Sequence, residues 1–172
     1  MKIRISDCHS CGATLGIALF SQDTDRTWYN YAFTKSLTVS GVSGGTTAEG
    51  IGQFSLVNLA DRWTGLLLKE PVYANTGAEE AGAELYSIEQ TGMNGYNSDS
   101  QLRTILSYTY HSSYQVPGLA DHEENTVLEV VKGKKQHLVR LVTTTNKKRT
   151  FKYYRYSDED EKYVPSLRLP VF

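Results

Sequence analysis

The chain has 172 residues and a mass of 19.3 kDa, with 18 Lys plus Arg against 19 Asp plus Glu and a net charge of −1. That length builds one domain, or a domain with a small appendage, around a real hydrophobic core. No apolar run reaches the roughly 20 residues of a membrane-spanning helix, a composition of 40% apolar and 22% charged residues excludes wholesale disorder, and two cysteines make no disulfide framework.

The first residues, Met1-Lys2-Ile3-Arg4, carry the charge that opens a signal peptide. Ser6-Asp7-Cys8-His9 is too polar for the apolar segment that must follow, and residues 13–20 are short with no clean cleavage site after them. No secretory signal is read, so synthesis in the cytoplasm is expected. Cys8 and Cys11, ahead of Gly12, have zinc-knuckle spacing. A tetrahedral site needs two further ligands, and neither a second cysteine pair nor an H-x3–5-H pair exists to supply them. Cys8 and Cys11 are therefore read as reduced thiols near a strand start; as metal-ligand candidates they would need His111, His122 or His137 to complete a Cys2His2 site, and no cofactor is expected.

Period-2 patterns dominate the rest. Residues 14–20 read as a strand and residues 27–33 as another, rich in aromatics (Trp28, Tyr29, Tyr31, Phe33), with turn chemistry between them that predicts a hairpin. Residues 36–42 alternate as a third strand. Residues 41–52 hold five glycines and almost no large apolar side chain, the composition of a broad loop. Residues 53–59 alternate again, and 63–69 form a continuous apolar run, as a strand buried on both faces does. Pro71 interrupts it before Val72-Tyr73-Ala74. Residues 78–90 are ambiguous between helix, from their Ala and Glu, and a late strand. Leu102, Ile105 and Leu106 stand at i, i+3, i+4 behind Ser98 or Asp99 as an N-cap, which predicts a short helix near 99–110. Residues 112–125, with Pro117-Gly118 and an acidic patch, read as a linker. Residues 126–131, 136–145 and 149–156 read as strands, the last two as a hairpin about Asn146-Lys147-Lys148. The prolines after Tyr163 predict an extended arm whose Leu167, Leu169, Val171 and Phe172 bury on a neighbour or fold back on their own domain.

The stretch Asp23-Thr24-Asp25 followed by Thr27-Trp28-Tyr29-Asn30-Tyr31-Ala32-Phe33, then a Gly/Thr-rich run and a short meander, resembles β-sandwich modules of phage and prophage virion proteins over about residues 13–92. The resemblance implies a role in tail, fibre or neck assembly, a place in the virion, and no catalytic residues.

The net charge hides an asymmetry. Residues 1–125 hold 7 basic and 14 acidic residues, net −7, whereas 126–172 hold 11 and 5, net +6. Between Val131 and Tyr156 stand Lys132, Lys134, Lys135, Arg140, Lys147, Lys148, Arg149, Lys152 and Arg155 with Phe151, Tyr153, Tyr154 and Tyr156 among them and, from Val131 to Tyr156, no acidic residue. Cations beside rings are what a single-stranded nucleic-acid groove needs. The same pattern arises where a hairpin packs its rings and solvates its cations, or where a basic half docks on an acidic one.

Nucleophilic catalysis has no local signature: there is no G-x-S-x-G, and the four histidines stand in unrelated contexts. Trp28, Tyr29, Tyr31, Trp63 and Tyr73 offer flat rings for a sugar platform or, equally, for a core. The sequence is thus read as mainly β: an antiparallel β-sandwich over 1–92, a short helix and linker over 93–125, and a basic β-hairpin with an arm over 126–172, possibly one packed domain. The expected function is non-enzymatic assembly, as a homo-oligomer or with other virion proteins and without a membrane partner. Nucleic-acid binding through residues 131–156 and carbohydrate binding are the alternatives.

Overall fold

A computed structural model describes residues 13–15, 18–22, 24–33, 37–39, 53–60, 63–70, 72–75, 78–88, 102–115, 121–132 and 137–166. The chain divides into two compact units, residues 1–51 with 87–103, and residues 52–86 with 104–172. Every described element is a strand, so the mainly β, antiparallel expectation holds.

In the first unit, β1 (Ala13–Leu15) pairs with β4 (Leu37–Val39), and β2 (Ala18–Gln22) with β3 (Trp28–Phe33), both antiparallel. The expected hairpin is present. Its turn is held by Asp25, whose Oδ1 accepts from the Thr27 N–H at 2.8 Å, while Gln22 Nε2 donates to the Arg26 carbonyl at 3.0 Å. These local bonds replace ladder bonds that the turn cannot make.

The second unit is built on one antiparallel sheet. Its strands are β5 (Gln53–Ala60), β6 (Trp63–Lys69), β7 (Tyr73–Asn75), β8 (Ala78–Ile88), β9 (Leu102–Tyr114), β10 (His122–Lys132), β11 (His137–Thr145), β12 (Lys148–Ser157) and β13 (Lys162–Pro165). The hydrogen-bonded order is β13-β12-β11-β10-β9-β8-β6-β5, with β7 also on β8. Apart from β6, which lies beside β8 rather than β7, each strand neighbours the next in sequence, so the sheet is essentially a meander. Pro71, lacking an N–H, separates β6 from β7. The Glu70 N–H still donates to the Gly82 carbonyl at 2.9 Å, so the ladder continues up to the proline.

The sheet rolls over itself: β5, at one end of the order, lies against β10 and β11. Rolling buries the inner face. Leu59, Leu67, Ala83, Leu85, Ile105, Leu106, Val139, Leu141 and Tyr163 form a continuous core, flanked by Val57, Trp63, Tyr108, Tyr110, Leu128, Val130, Tyr154 and Tyr156. Along β10 to β12 these residues share a face by register, as in Val130↔Val139↔Tyr154 and Leu128↔Leu141↔Lys152. The continuous apolar run of β6 is buried from Gly65 to Leu68, as expected for a strand covered on both sides.

Two expectations are corrected. Residues 102–110, read as helix, are the first part of β9, and no helix occurs among the described residues. Thr104, Ile105, Tyr108, Thr109 and Tyr110 are β-branched or aromatic, and burial against the sheet outweighs a three-residue stripe. Ile105 and Leu106, adjacent in the chain, both reach the core, which made the strand mimic helical spacing. Residues 112–114 and 122–125, read as linker, are strand as well; Tyr114 pairs with His122 and Ser112 with Glu124. The ambiguous segment 78–88 is strand β8.

Two close fits give testable energies. The β11–β12 turn places Asn146 and Lys147 at φ of 46° and 70°, between the paired Thr145 and Lys148. A two-residue hairpin turn with both φ positive suits Asn-Gly, and a lysine there pays for its Cβ. Lys147→Gly is expected to raise unfolding free energy by about 0.5–1 kcal/mol. At Gly65 an added Cβ would meet Leu59 Cδ1 at 2.9 Å, Leu85 Cδ1 at 3.0 Å and the Tyr86 carbonyl oxygen at 3.0 Å. The backbone oxygen cannot swing away, so Gly65→Ala is expected to cost about 1–3 kcal/mol. Urea unfolding of both variants measures the two effects.

Candidate interaction surface

Pairing of β10, β11 and β12 sets out the outer face in rows. They are Val131↔Leu138↔Arg155, Glu129↔Arg140↔Tyr153, Val127↔Val142↔Phe151 and Asn125↔Thr144↔Arg149. The central row is apolar. Val142 is buried beneath its neighbours, whereas Val127 is 53% and Phe151 50% exposed. Half-exposed large apolar side chains flanking one covered residue form a small hydrophobic patch.

A charged pair borders the patch. Arg140 Nε donates to Glu129 Oε2 at 3.0 Å, and a second guanidinium nitrogen bonds the same oxygen. The guanidinium also lies 5.2 Å from the centroid of the Phe151 ring. Glu129, then Tyr153, hold the guanidinium's proton affinity above its ordinary value by hydrogen bonding. Arg140 is thus fixed at the ring rather than left free for phosphate.

The basic residues do not share a face. Arg149 and Arg155 stand on the outer side of β12 with Phe151 and Tyr153. Lys148 and Lys152 alternate to the other side with Tyr154 and Tyr156, and Lys147 is in the turn. Lys132, at the end of β10, is exposed. Tyr154 packs on the core. Lys134, Lys135, Cys8, Cys11, Leu167, Leu169, Val171 and Phe172 lie outside the described residues. Of the rings considered for a sugar platform, Trp63 is instead packed inside, 4.8 Å from Tyr156 and 6.1 Å from Tyr163 between centroids. Trp28 is exposed on β3.

Along β12 the charges are polarised. Lys147, Lys148 and Arg149 are exposed at its start, and Asp158, Glu159, Asp160 and Glu161 in the turn after its end. Ten residues of strand put these groups roughly 30 Å apart. Ser157 organises the acidic turn by donating its hydroxyl to Asp160 Oδ2 at 2.8 Å and accepting from the Asp160 N–H at 3.2 Å.

A second polar group straddles β9 and β10. His111 Nδ1 donates to Asn125 Oδ1 at 2.8 Å, and Asn125 Nδ2 donates to Glu123 Oε1 at 2.8 Å. His111 Nε2 is 3.5 Å from Glu79. On the opposite face His122 stacks on Tyr114, 4.5 Å between centroids, and reaches Glu124 at 3.7 Å. Ser113 donates to Glu79, at 3.5 Å, rather than to a histidine, so these groups do not form a nucleophile–base relay. Among the described residues no cluster of three metal-ligating side chains occurs.

The strongest feature the sequence reading passed over is inside. The interior supplies partners to most of its hydroxyls: Thr126 and Thr143 bond each other at 2.9 Å, Tyr110 donates to the Glu70 carbonyl at 2.7 Å, and Tyr86 donates to Glu84. The hydroxyls of Tyr108 and Tyr163 are buried without a partner. A ratio of 12 Tyr to 5 Phe in a buried β chain was the available signal. No protein family, curated protein or solved structure matches the chain.

Burial pushes the Tyr108 hydroxyl up to about 12 and raises Tyr163 and Tyr86 as well, desolvation leading in all three. An unfolded tyrosine ionises near its ordinary value of 10.0. The folded state therefore holds protons that the unfolded state has lost, and stability present below pH 10 falls as pH rises toward the folded values. Absorbance at about 295 nm is expected to show the buried tyrosines ionising together with alkaline unfolding, above the ordinary tyrosine value of 10.0.

Proposed function

We propose that the chain is a non-enzymatic structural protein that assembles with copies of itself through the outer face of β10–β12. The half-exposed Val127 and Phe151 about the covered Val142 carry this reading, since a soluble strand face pays nothing in stability to place polar groups there. A second copy is the occupant that the charge pattern favours. With basic residues at one end of β12 and acidic ones beyond the other, two copies laid antiparallel bring opposite charges together twice, as a two-fold contact requires. The Arg140–Glu129 pair borders the apolar centre and would fix register at its rim. A phage-like setting for that assembly is proposed on the resemblance of residues 13–92 alone.

Light scattering of the full chain over rising concentration tests the proposal. The mass is expected to climb from 19.3 kDa toward a multiple of it. Phe151→Asp is expected to weaken association about tenfold or more while leaving the melting temperature near that of the parent. Added salt is expected to slow association. A monomer at every concentration, or an aspartate variant that associates as well as the parent, would overturn it.

A further inference from the structure

The sheet of the second unit ends differently on its two sides. Its outermost strands are β13 and β5, and among the described residues each pairs with one neighbour only, β12 and β6 respectively. The outer edge of such a strand presents backbone N–H and C=O groups that a further strand can join. β13 is blunted against this, with four residues that begin at Lys162 and end at Pro165. β5 is not. Its eight residues include no charge and no proline, and its register with β6 is regular from Gln53 to Asn58. Ser55 lies on the face of the core residues Val57 and Leu59, and Leu56 and Asn58 lie on the other. Ser55, Leu56 and Asn58 are all exposed, Leu56 to 67%. Exposure on both faces of the strand leaves its edge open to solvent along this stretch.

We infer that the β5 edge, over Ser55–Asn58, pairs with β5 of a second copy, antiparallel and about a two-fold axis, so that two sheets join into one. Strand addition takes its affinity from main-chain hydrogen bonds, and the side chains decide which strand fits. Here they fit a second β5. In a pairing centred on Leu56, the two Leu56 side chains meet across the axis and cover each other. Ser55 of one copy then stands opposite Val57 of the other, and Phe54 opposite Asn58. Like charges directly opposite one another destabilise a strand pair, and a neutral strand laid on itself brings none together. The contact is separate from the outer-face one, since it uses another strand and backbone bonds in place of a side-chain patch. A chain with both contacts assembles past the dimer, because a copy held through one still presents the other.

Disulfide trapping tests the pairing. Opposed residues of an antiparallel pair stand close enough for a disulfide. In a full chain carrying Cys8→Ser and Cys11→Ser, Leu56→Cys is expected to form a cross-linked dimer under mild oxidation about tenfold or more faster than Val72→Cys, which is also exposed but lies outside the strands. Light scattering separates the two contacts. Phe151→Asp and Leu56→Lys are each expected to stop assembly at the dimer, and the two together to hold the mass at 19.3 kDa. Leu56 is largely exposed, so the lysine variant is expected to melt near the parent. Cross-linking of Leu56→Cys no faster than Val72→Cys, or a Phe151→Asp chain that stays monomeric at every concentration, would overturn the inference and leave the outer-face reading standing. A Phe151→Asp chain that assembles as fully as the parent, with the Leu56→Cys cross-link retained, would support the edge pairing and remove the outer-face reading.

Discussion

Trp63 joins the two ends of the sheet. It stands on β6, near the start of the hydrogen-bonded order's far end, and its ring lies against Tyr156 of β12 and Tyr163 of β13. A meander of this many strands left flat would expose one apolar face along its whole length. Rolling β5 and β6 onto β10–β13 removes that face from water at about 25 cal/mol per Å², and the aromatic cluster adds edge-to-face and stacked geometry to the burial. The close approach at Gly65 belongs to the same event. Leu59 and Leu85 meet over that glycine because nothing larger than hydrogen stands between them. A side chain there would hold the strands apart just where the sheet turns inward.

Once the sheet is rolled, its pleat assigns every residue of β12 to one of two environments. Tyr154 and Tyr156 go in, Phe151 and Tyr153 go out, and the basic residues divide between the sides because they fall at both odd and even positions. Sequence proximity had made them look like one cationic ribbon. Alternation makes them two sparse sets, with Arg140 bound to Glu129 on the next strand. What survives of the charge pattern runs along the strand and not across it, from the basic turn at 147–149 to the acidic turn at 158–161. A gradient of that kind orients a partner lying alongside, whereas a groove for phosphate needs cations on one side.

The strands were legible wherever local alternation and burial agree. The run Trp63–Lys69, the hairpin about Asn146 and Lys147 and the hairpin about Asp25 are all short-range statements, and local chemistry decides them. Residues 102–114 were not legible, because Leu102, Ile105 and Leu106 satisfy helical spacing while their β-branched and aromatic neighbours favour a strand; only the sheet around them resolves the conflict. Ser112 and His122–Asn125 looked like linker because polar residues on an outer strand read as loop until their pairing partners are known. The roll itself left no local trace. Trp63 and Tyr163 are a hundred residues apart, and no periodicity reports a contact at that distance. For the same reason the patch at Val127 and Phe151 was invisible: the two residues become neighbours only through Val142 on the strand between them. The unpartnered hydroxyls were hidden too, since a tyrosine reads as a strand former whether or not its oxygen finds a partner.

The two faces of β12 differ in how they tolerate change, and that difference bears on what the strand is for. Inward, Tyr154 and Tyr156 are fixed by close packing around Trp63 and Tyr163, so a substitution there is felt as lost burial or overpacking. Outward, Phe151 loses little from the fold if it is replaced by a polar residue, because half of it already faces water. A half-exposed ring kept under an arginine, beside a buried valine, is therefore not explained by folding. Nor are the hydroxyls of Tyr108 and Tyr163, which burden the core with two unsatisfied donors. Folding alone favours the opposite choice at each place, a polar group outside and phenylalanine inside. Both departures lie on the same rolled sheet, one on each face.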